Sequence, residues 1–399
     1  NERGNAAEFV DYEYPLCKSK PPAHKRKGEN AMKKKAFQKI ELSRLGMGNM
    51  RLPSVDAKDS KAPIDYPEAI KLIRRAYEEG INYFDTAYVY NDGDSEKCLG
   101  EAMKVFPRDS YYLATKFHID ANPDYKAVFE EQLRRLQTDR IDFYLIHCLT
   151  DGNADKYLNS GAIEYFLEQK KKGRISYLGF SSHAGIDTLR RFAAHHQWDF
   201  TQIQLNYYDW NYSSAKEEYQ ILEERNIPVM VMEPVRGGRL ASLTPEANEI
   251  LKVAHPNWSI AAWALRFVKS LQQVQVILSG MSTMDQLEDN LATFADDDGL
   301  NETDMETLEK ACSMFKNQIQ VPCTACRYCC SGCPMEINIP EYLKLYNSYK
   351  VDGERELAGA AAIESKGKPA DCAGCGACTG HCPQNINTPE IMAELARLL

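Results

Sequence analysis

The sequence predicts an α/β chain: a (β/α)8 barrel followed by a small, mainly helical unit that holds metal through cysteines. Three observations carry this. Short apolar runs alternate with helical patterns over residues 40–317. The runs number eight, and eight β-α units in about 260 residues is the size of a closed parallel barrel. Nine of the thirteen cysteines lie between residues 323 and 382, in a repeated spacing. The competing architecture, a doubly wound open sheet, needs fewer strands, and no G-x-G-x-x-G follows the first run.

Composition bounds the class. With 399 residues, 44% hydrophobic and 26% charged, the chain is globular, and no apolar run approaches the roughly 18 residues of a membrane span. A net charge of −9 argues against a general nucleic-acid binder. Residues 1–39, with KSKPPAHKRKGEN and AMKKKAFQK, read as a solvated, flexible basic extension with no apolar signal core. Clustered thiols in a long chain suit metal in a reducing compartment better than disulfides, so a cytoplasmic location is expected.

The strands follow in order. The first lies near LGMGNM (45–50). Then come INYFDTA (81–87), YYLATKF (111–117), IDFYLIHC (141–148), ISYLGFSS (175–182), FTQIQLNYY (200–208), PVMVMEPV (228–235) and VQVILSGM (274–281). Nearly continuous apolar strands imply cover on both faces. Helical patterns sit between them at 66–80, 125–137 and 163–173, the last closed by Lys171-Lys172-Gly173. A further helix over 301–317 leads to the second domain, 318–399.

That domain is an internal repeat. Both halves carry C-x2-C-x2-C-x3-C-P and end in C-P-x-x-I-N-x-P-E. Pro340 and Pro389 suit the first turn of a helix, and Thr388 suits its N-cap. Thiols at every third position aim three sulfurs at one cubane, while the fourth ligates the other cluster. One [4Fe–4S] cluster is therefore expected on Cys323, Cys326, Cys329 and Cys382. The second falls to Cys372, Cys375, Cys378 and Cys333. A pair of zinc sites explains neither the third cysteine nor the Cys-Pro endings. Cys330 has no place in the pattern, and Cys17, Cys98, Cys148 and Cys312 read as ordinary thiols. The tail resembles dicluster ferredoxin domains. Its long gap between motifs is similar to the α-helical type.

In a barrel, chemistry sits at the C-terminal ends of strands. Those positions give Asp85 and Tyr90, Lys116 and His147. The intervals 85–116 and 116–147 each span one βα unit, so the groups fall side by side on one rim. They suggest proton transfer to a carbonyl under reduction. A lysine cation about 4 Å from Tyr90 contributes roughly 4 kcal/mol at a dielectric near 20, enough to bring its pKa toward neutrality. Asp85 would hold Lys116 charged, and His147 would orient the substrate oxygen.

FDTAYVY (84–90), ATKF (114–117), LIHC (145–148), GFSSH (179–183), QLNYY (204–208), MEPVRGG (232–238) and SGMSTMDQLEDN (279–290) resemble the aldo/keto reductase superfamily over about residues 40–300. The resemblance implies Tyr90 as proton donor and a nicotinamide cofactor, usually NADPH. It implies Ser181, Ser182 and Gln204 at the carboxamide, and Gly280, Ser282, Gln286 and Asn290 along the adenosine half. Met232 stands where many members stack a tyrosine. Ser182 stands where Asn is common. Gly280 and Gln286 replace the cations that grip the 2′-phosphate, which leaves NADP and NAD both open. The whole chain is similar to the iron–sulfur-bearing branch of that superfamily. Hydride chemistry and one-electron clusters need a mediator to couple, usually a flavin; the sequence carries no signal for one, although a barrel rim could hold it without a short motif. Three functions follow. The first is an NAD(P)H-dependent reductase of a small carbonyl compound. The second is an electron-transfer enzyme served by a ferredoxin-like partner. The third is a non-catalytic binding module on a reductase shell, which the complete tetrad disfavours.

Overall fold

The computed structural model describes residues 32–56 and 62–399. Cys17 and residues 1–31 of the expected extension lie outside them. Eight parallel strands close into a barrel: β3 (Leu45–Gly48), β4 (Tyr83–Asp85), β5 (Tyr112–Phe117), β6 (Ile141–Leu149), β7 (Ile175–Ser182), β8 (Phe200–Gln204), β9 (Val229–Met232) and β10 (Val274–Ser279). Closure comes from β10 pairing with β3. The outer helices start on caps written into the sequence. Asp65 accepts from Glu68 N and Asp124 from Ala127 N, each worth about 1 kcal/mol. No helix among the described residues is long and apolar enough to cross a membrane.

The end of the expected extension is structured. Two strands, β1 (Lys34–Phe37) and β2 (Ile40–Ser43), form an antiparallel hairpin. Its Phe37 and Leu42 are buried among Tyr83, Phe143 and Phe200 inside the barrel. Burying a Phe and a Leu is worth several kcal/mol, which outweighs the solvation of the neighbouring lysines. The hairpin plugs the N-terminal end of the barrel.

Strand alternation then positions the rim. Side chains two apart share a face. Tyr83 precedes Asp85 on β4, Ala114 precedes Lys116 on β5, and Phe143 and Leu145 precede His147 on β6; the apolar members form the interior cluster. The polar members top the same inward columns.

A second apolar cluster begins at Val321 and gathers Ile337, Tyr342, Leu343, Tyr346, Ile386, Met392 and Leu395. The helices Ile339–Asp352 and Thr388–Leu398 frame it, joined by Lys350–Glu394 at 2.6 Å. The duplication is visible in the backbone. Left-handed residues Ala325, Arg327 and Glu336 recur 49 positions on as Gly374, Gly376 and Asn385. Pro340 and Pro389 sit in first helical turns as expected, but the N-cap of the last helix is Asn387, not Thr388. Thr388 is buried as the first helical residue.

Candidate active site

At the rim Lys116 lies at the centre. Its Nζ donates to Asp85 Oδ1 at 2.5 Å and to the Thr86 carbonyl at 2.6 Å, and it stands 3.4 Å from Tyr90 Oη. His147 meets the Tyr90 ring edge-on, centroids 5.8 Å apart. The structure thus brings together all four rim residues read from the sequence. Asp85, Tyr90 and His147 face a cleft of about 360 Å³, and Lys116, fully buried, sits behind them.

The protonation states follow from burial. Burial pushes the Asp85 carboxyl up, and Lys116 pulls it back. Burial pushes the Lys116 ammonium down, but Asp85 and Tyr90 outweigh it and hold the cation above the ordinary lysine value. For Tyr90 the sequence expectation is reversed. Burial raises the hydroxyl, Lys116 lowers it and Asp85 raises it again, leaving it above the usual tyrosine value. The lysine charge is largely neutralised by the carboxylate beside it, so its field cannot offset desolvation. Tyr90 is therefore a fully protonated donor. Burial, with His118 and Lys116 nearby, drives His147 well below the normal histidine value, so it is neutral.

His147 owes its aim to a bulge. Between Ile146↔Phe180 and Leu149↔Ser182, β6 spends one residue more than β7, and Cys148 takes φ +54°. Such an insertion re-aims side chains next to a site. Ser181 Oγ pins it by accepting from Cys148 N at 2.8 Å.

Seven of the eight expected cofactor residues line the cleft: Ser181, Gln204, Met232, Gly280, Ser282, Gln286 and Asn290. Ser182 does not line it. It is the next residue on the strand, so its side chain points to the other face, where it accepts from Ala184 N at 3.2 Å. Asn290 is held by Ser279 Oγ at 2.8 Å, and Gln286 accepts from Ser282 N at 2.8 Å. Beside Gly280 lies the stem of Arg51, 3.4 Å from where a Cβ would be. Among the described residues Arg51 is the one Lys or Arg side chain on the cleft wall.

The tail closes part of this cleft. Thr324, Cys326, Tyr328 and Pro383 line it too. Gln384 Nε2 donates to Gln204 Oε1 at 3.0 Å. Three barrel arginines hold successive carbonyls of the first thiol loop. Arg236 reaches Pro322 O at 3.5 Å, Arg239 reaches Cys323 O at 3.1 Å and Arg51 reaches Thr324 O at 3.0 Å. Gly237, at φ +65°, permits the approach: a Cβ there would stand 1.9 Å from Thr324 O. Sequence reading missed these tail residues, because no spacing within one unit reports what the other unit touches.

The thiols gather as the crossed pattern expects. One small cavity is lined by Cys323, Cys326, Cys329 and Cys382, and another by Cys333, Cys372, Cys375 and Cys378. In each, four thiols ring a space rather than converge on a point, and all are free of disulfides. Ala325 N donates to Cys323 Sγ at 3.3 Å, an amide aimed at a sulfur. Both rings fit a cubane.

The fold and these rings define an oxidoreductase barrel joined to an iron–sulfur unit. A model of the aldo/keto reductase family matches residues 44–312, and one of the 4Fe-4S dicluster domain matches residues 322–386. The chain belongs to the aldo/keto reductase family. It is 30% identical over 236 residues to a probable aldo-keto reductase of Glycine max, covering 55% of this chain and 65% of that one, just under two thirds of its length. It is 27% identical over 301 residues to an L-galactose dehydrogenase of Arabidopsis thaliana, covering 68% and 93%. The solved aldo-keto reductase of Bacillus halodurans in its holo form is 27% identical, covering 70% of this chain and 96% of that one, with a TM-score of 0.57. A Klebsiella pneumoniae aldo/keto reductase solved with NADP and acetate shares the fold at 19% identity, covering 70% and 94%, with a TM-score of 0.55.

Proposed function

We propose that the barrel reduces a small carbonyl compound with a nicotinamide dinucleotide, NADP(H) or NAD(H), and that Tyr90 supplies the proton. The observation that carries this is the Asp85–Lys116–Tyr90 chain opening onto one cleft with His147. When bound, the nicotinamide supplies a hydride to the carbonyl carbon. Tyr90 gives its proton to the oxygen. Lys116, held charged by Asp85, steadies the tyrosinate left behind. Neutral His147 offers one N–H to the same oxygen and orients it. Ser181 positions His147 through the bulge. Gln204 would border the nicotinamide end, Met232 would face its ring, and Gly280, Ser282, Gln286 and Asn290 would hold the adenosine half.

Replacing Tyr90 by Phe tests this. Binding of NADPH, read by protein fluorescence, stays as in wild type, while carbonyl turnover falls about 10²–10⁴-fold, the usual worth of a general acid. A Tyr90→Phe protein that turns over normally refutes the assignment.

A second reading has its own support. Cys326 shares the cleft with Tyr90, whereas Cys375 is exposed at the far ring. In this reading the crossed sets of thiols would hold two [4Fe–4S] clusters, which would supply one-electron transfer between a protein partner at the outer ring and the cleft. Anaerobic NADPH discriminates: bleaching of the cluster absorbance without added mediator supports exchange, and an unchanged spectrum during steady aldehyde reduction refutes it.

A further inference from the structure

The cleft contains a group that the four rim residues do not account for. Tyr328 sits between Cys326 and Cys329, in the first thiol loop, yet it lines the reaction cleft. Its side chain and that of Tyr90 wall the same cleft, each close enough to act on the other's hydroxyl. Nor is it a loose visitor. Arg327 turns the chain through φ +68° just before it, and the short helix Tyr328–Ser331 starts there. The three arginine-held carbonyls, 322–324, lie immediately upstream.

The direction of that contact is fixed by what Tyr90 must do, and here the argument rests on the carbonyl-reduction reading. A phenol has one hydrogen. If Tyr90 spent it on Tyr328, none would face the substrate. Lys116 has donors and no acceptor, so it cannot take that hydrogen either. The productive arrangement has Tyr90 accepting twice, from Lys116 and from Tyr328, and donating once, to the carbonyl oxygen.

We propose that Tyr328 is a positioning residue of the barrel's reaction site, supplied by the iron–sulfur tail, which donates its hydroxyl to Tyr90. Hydride adds to the carbonyl carbon, the C=O π pair moves to oxygen, and the Tyr90 proton follows it to give the alcohol. The tyrosinate that remains then holds two donors, the Lys116 ammonium and the Tyr328 hydroxyl. It regains its proton from solvent when the product leaves. The tail thus completes the acid of the barrel.

The test is Tyr328→Phe, which keeps the ring as a wall of the cleft and removes one O–H. The probe is 4-nitrobenzaldehyde with NADPH, and rates are referred to the iron-replete fraction. A hydrogen bond to a developing anion corresponds to a kcat about 10–100-fold lower. KM for the aldehyde, NADPH binding by fluorescence and the cluster absorbance stay as in wild type, and the solvent deuterium isotope effect on kcat rises. In a Tyr90→Phe background the same change does nothing further. Unchanged kcat in Tyr328→Phe, or a loss that simply multiplies with that of Tyr90→Phe, overturns the proposal and leaves the reduction reading intact. Wild-type protein that reduces no aldehyde with either nicotinamide overturns both.

Discussion

Gly237→Ala probes how the tail is seated on the barrel. Two costs are predicted. At φ +65° an alanine is strained, by about 1–2 kcal/mol. Its Cβ would also meet Thr324 O at 1.9 Å, well inside contact distance, so the loop must move by more than an ångström. That motion breaks the 3.0 Å bond from Arg51 to Thr324 O, and a bond from a charged donor is worth about 1.5–3 kcal/mol. The seating contact therefore loses about 1.5–3 kcal/mol, beyond the backbone strain that either replacement carries. Gly238→Ala is the control. It is also left-handed, at φ +93°, but nothing lies within 4 Å of its Cβ, so it carries the strain of about 1–2 kcal/mol and no clash. Hydrogen exchange of residues 322–328 and protease sensitivity after residue 315 are the readouts, with iron content as a check on the thiol rings. Gly237→Ala loses protection in that loop and Gly238→Ala keeps it. Equal protection in the two variants would refute the contact.

Three further outcomes follow. Lys116→Met leaves Asp85 buried without its cation and destabilises the barrel by about 3–5 kcal/mol in urea unfolding, while Lys116→Met with Asp85→Asn recovers much of the loss; no recovery would mean the pair is not the source. Glu218 is 9% exposed and burial pushes its carboxyl up from 4.5 to about 7. Below pH 4.5 both states are protonated and nothing is lost; between 4.5 and 7 the unfolded chain ionises first, so stability falls as pH rises, by about 3 kcal/mol in full, and Glu218→Gln removes that slope in urea melts at pH 5 and 8. The crossed rings predict that Cys323→Ser with Cys382→Ser costs one cluster by iron analysis, whereas Cys323→Ser with Cys333→Ser costs both; the opposite pattern means uncrossed ligation.

The barrel strands are legible because parallel strands buried on two faces leave unbroken apolar runs, and each of the eight runs holds its strand. The rim is legible for a related reason: Asp85, Lys116 and His147 recur at one βα interval, and period-two alternation carries them to one face. What the sequence conceals has physical causes. Phe37 is hidden among lysines 33–35 and 39, so the first strand of a plugging hairpin reads as a tail. The bulge at Cys148 leaves no residue signature. Ser182 adjoins Ser181, and only the pleat separates their faces. Tyr90 is raised rather than lowered because the charge beside it is already answered by Asp85. Tyr328 enters through the seating of one unit on the other, a contact of high sequence separation that no local pattern records.

The plug made by Phe37 and Leu42 has a consequence for traffic. Among the described residues the cylinder is filled below Asp85 and Lys116, so small molecules reach the rim from the strand ends, where the first thiol loop stands in the frame. Whatever loosens that frame disturbs the cleft wall and the Tyr90–Tyr328 pair together.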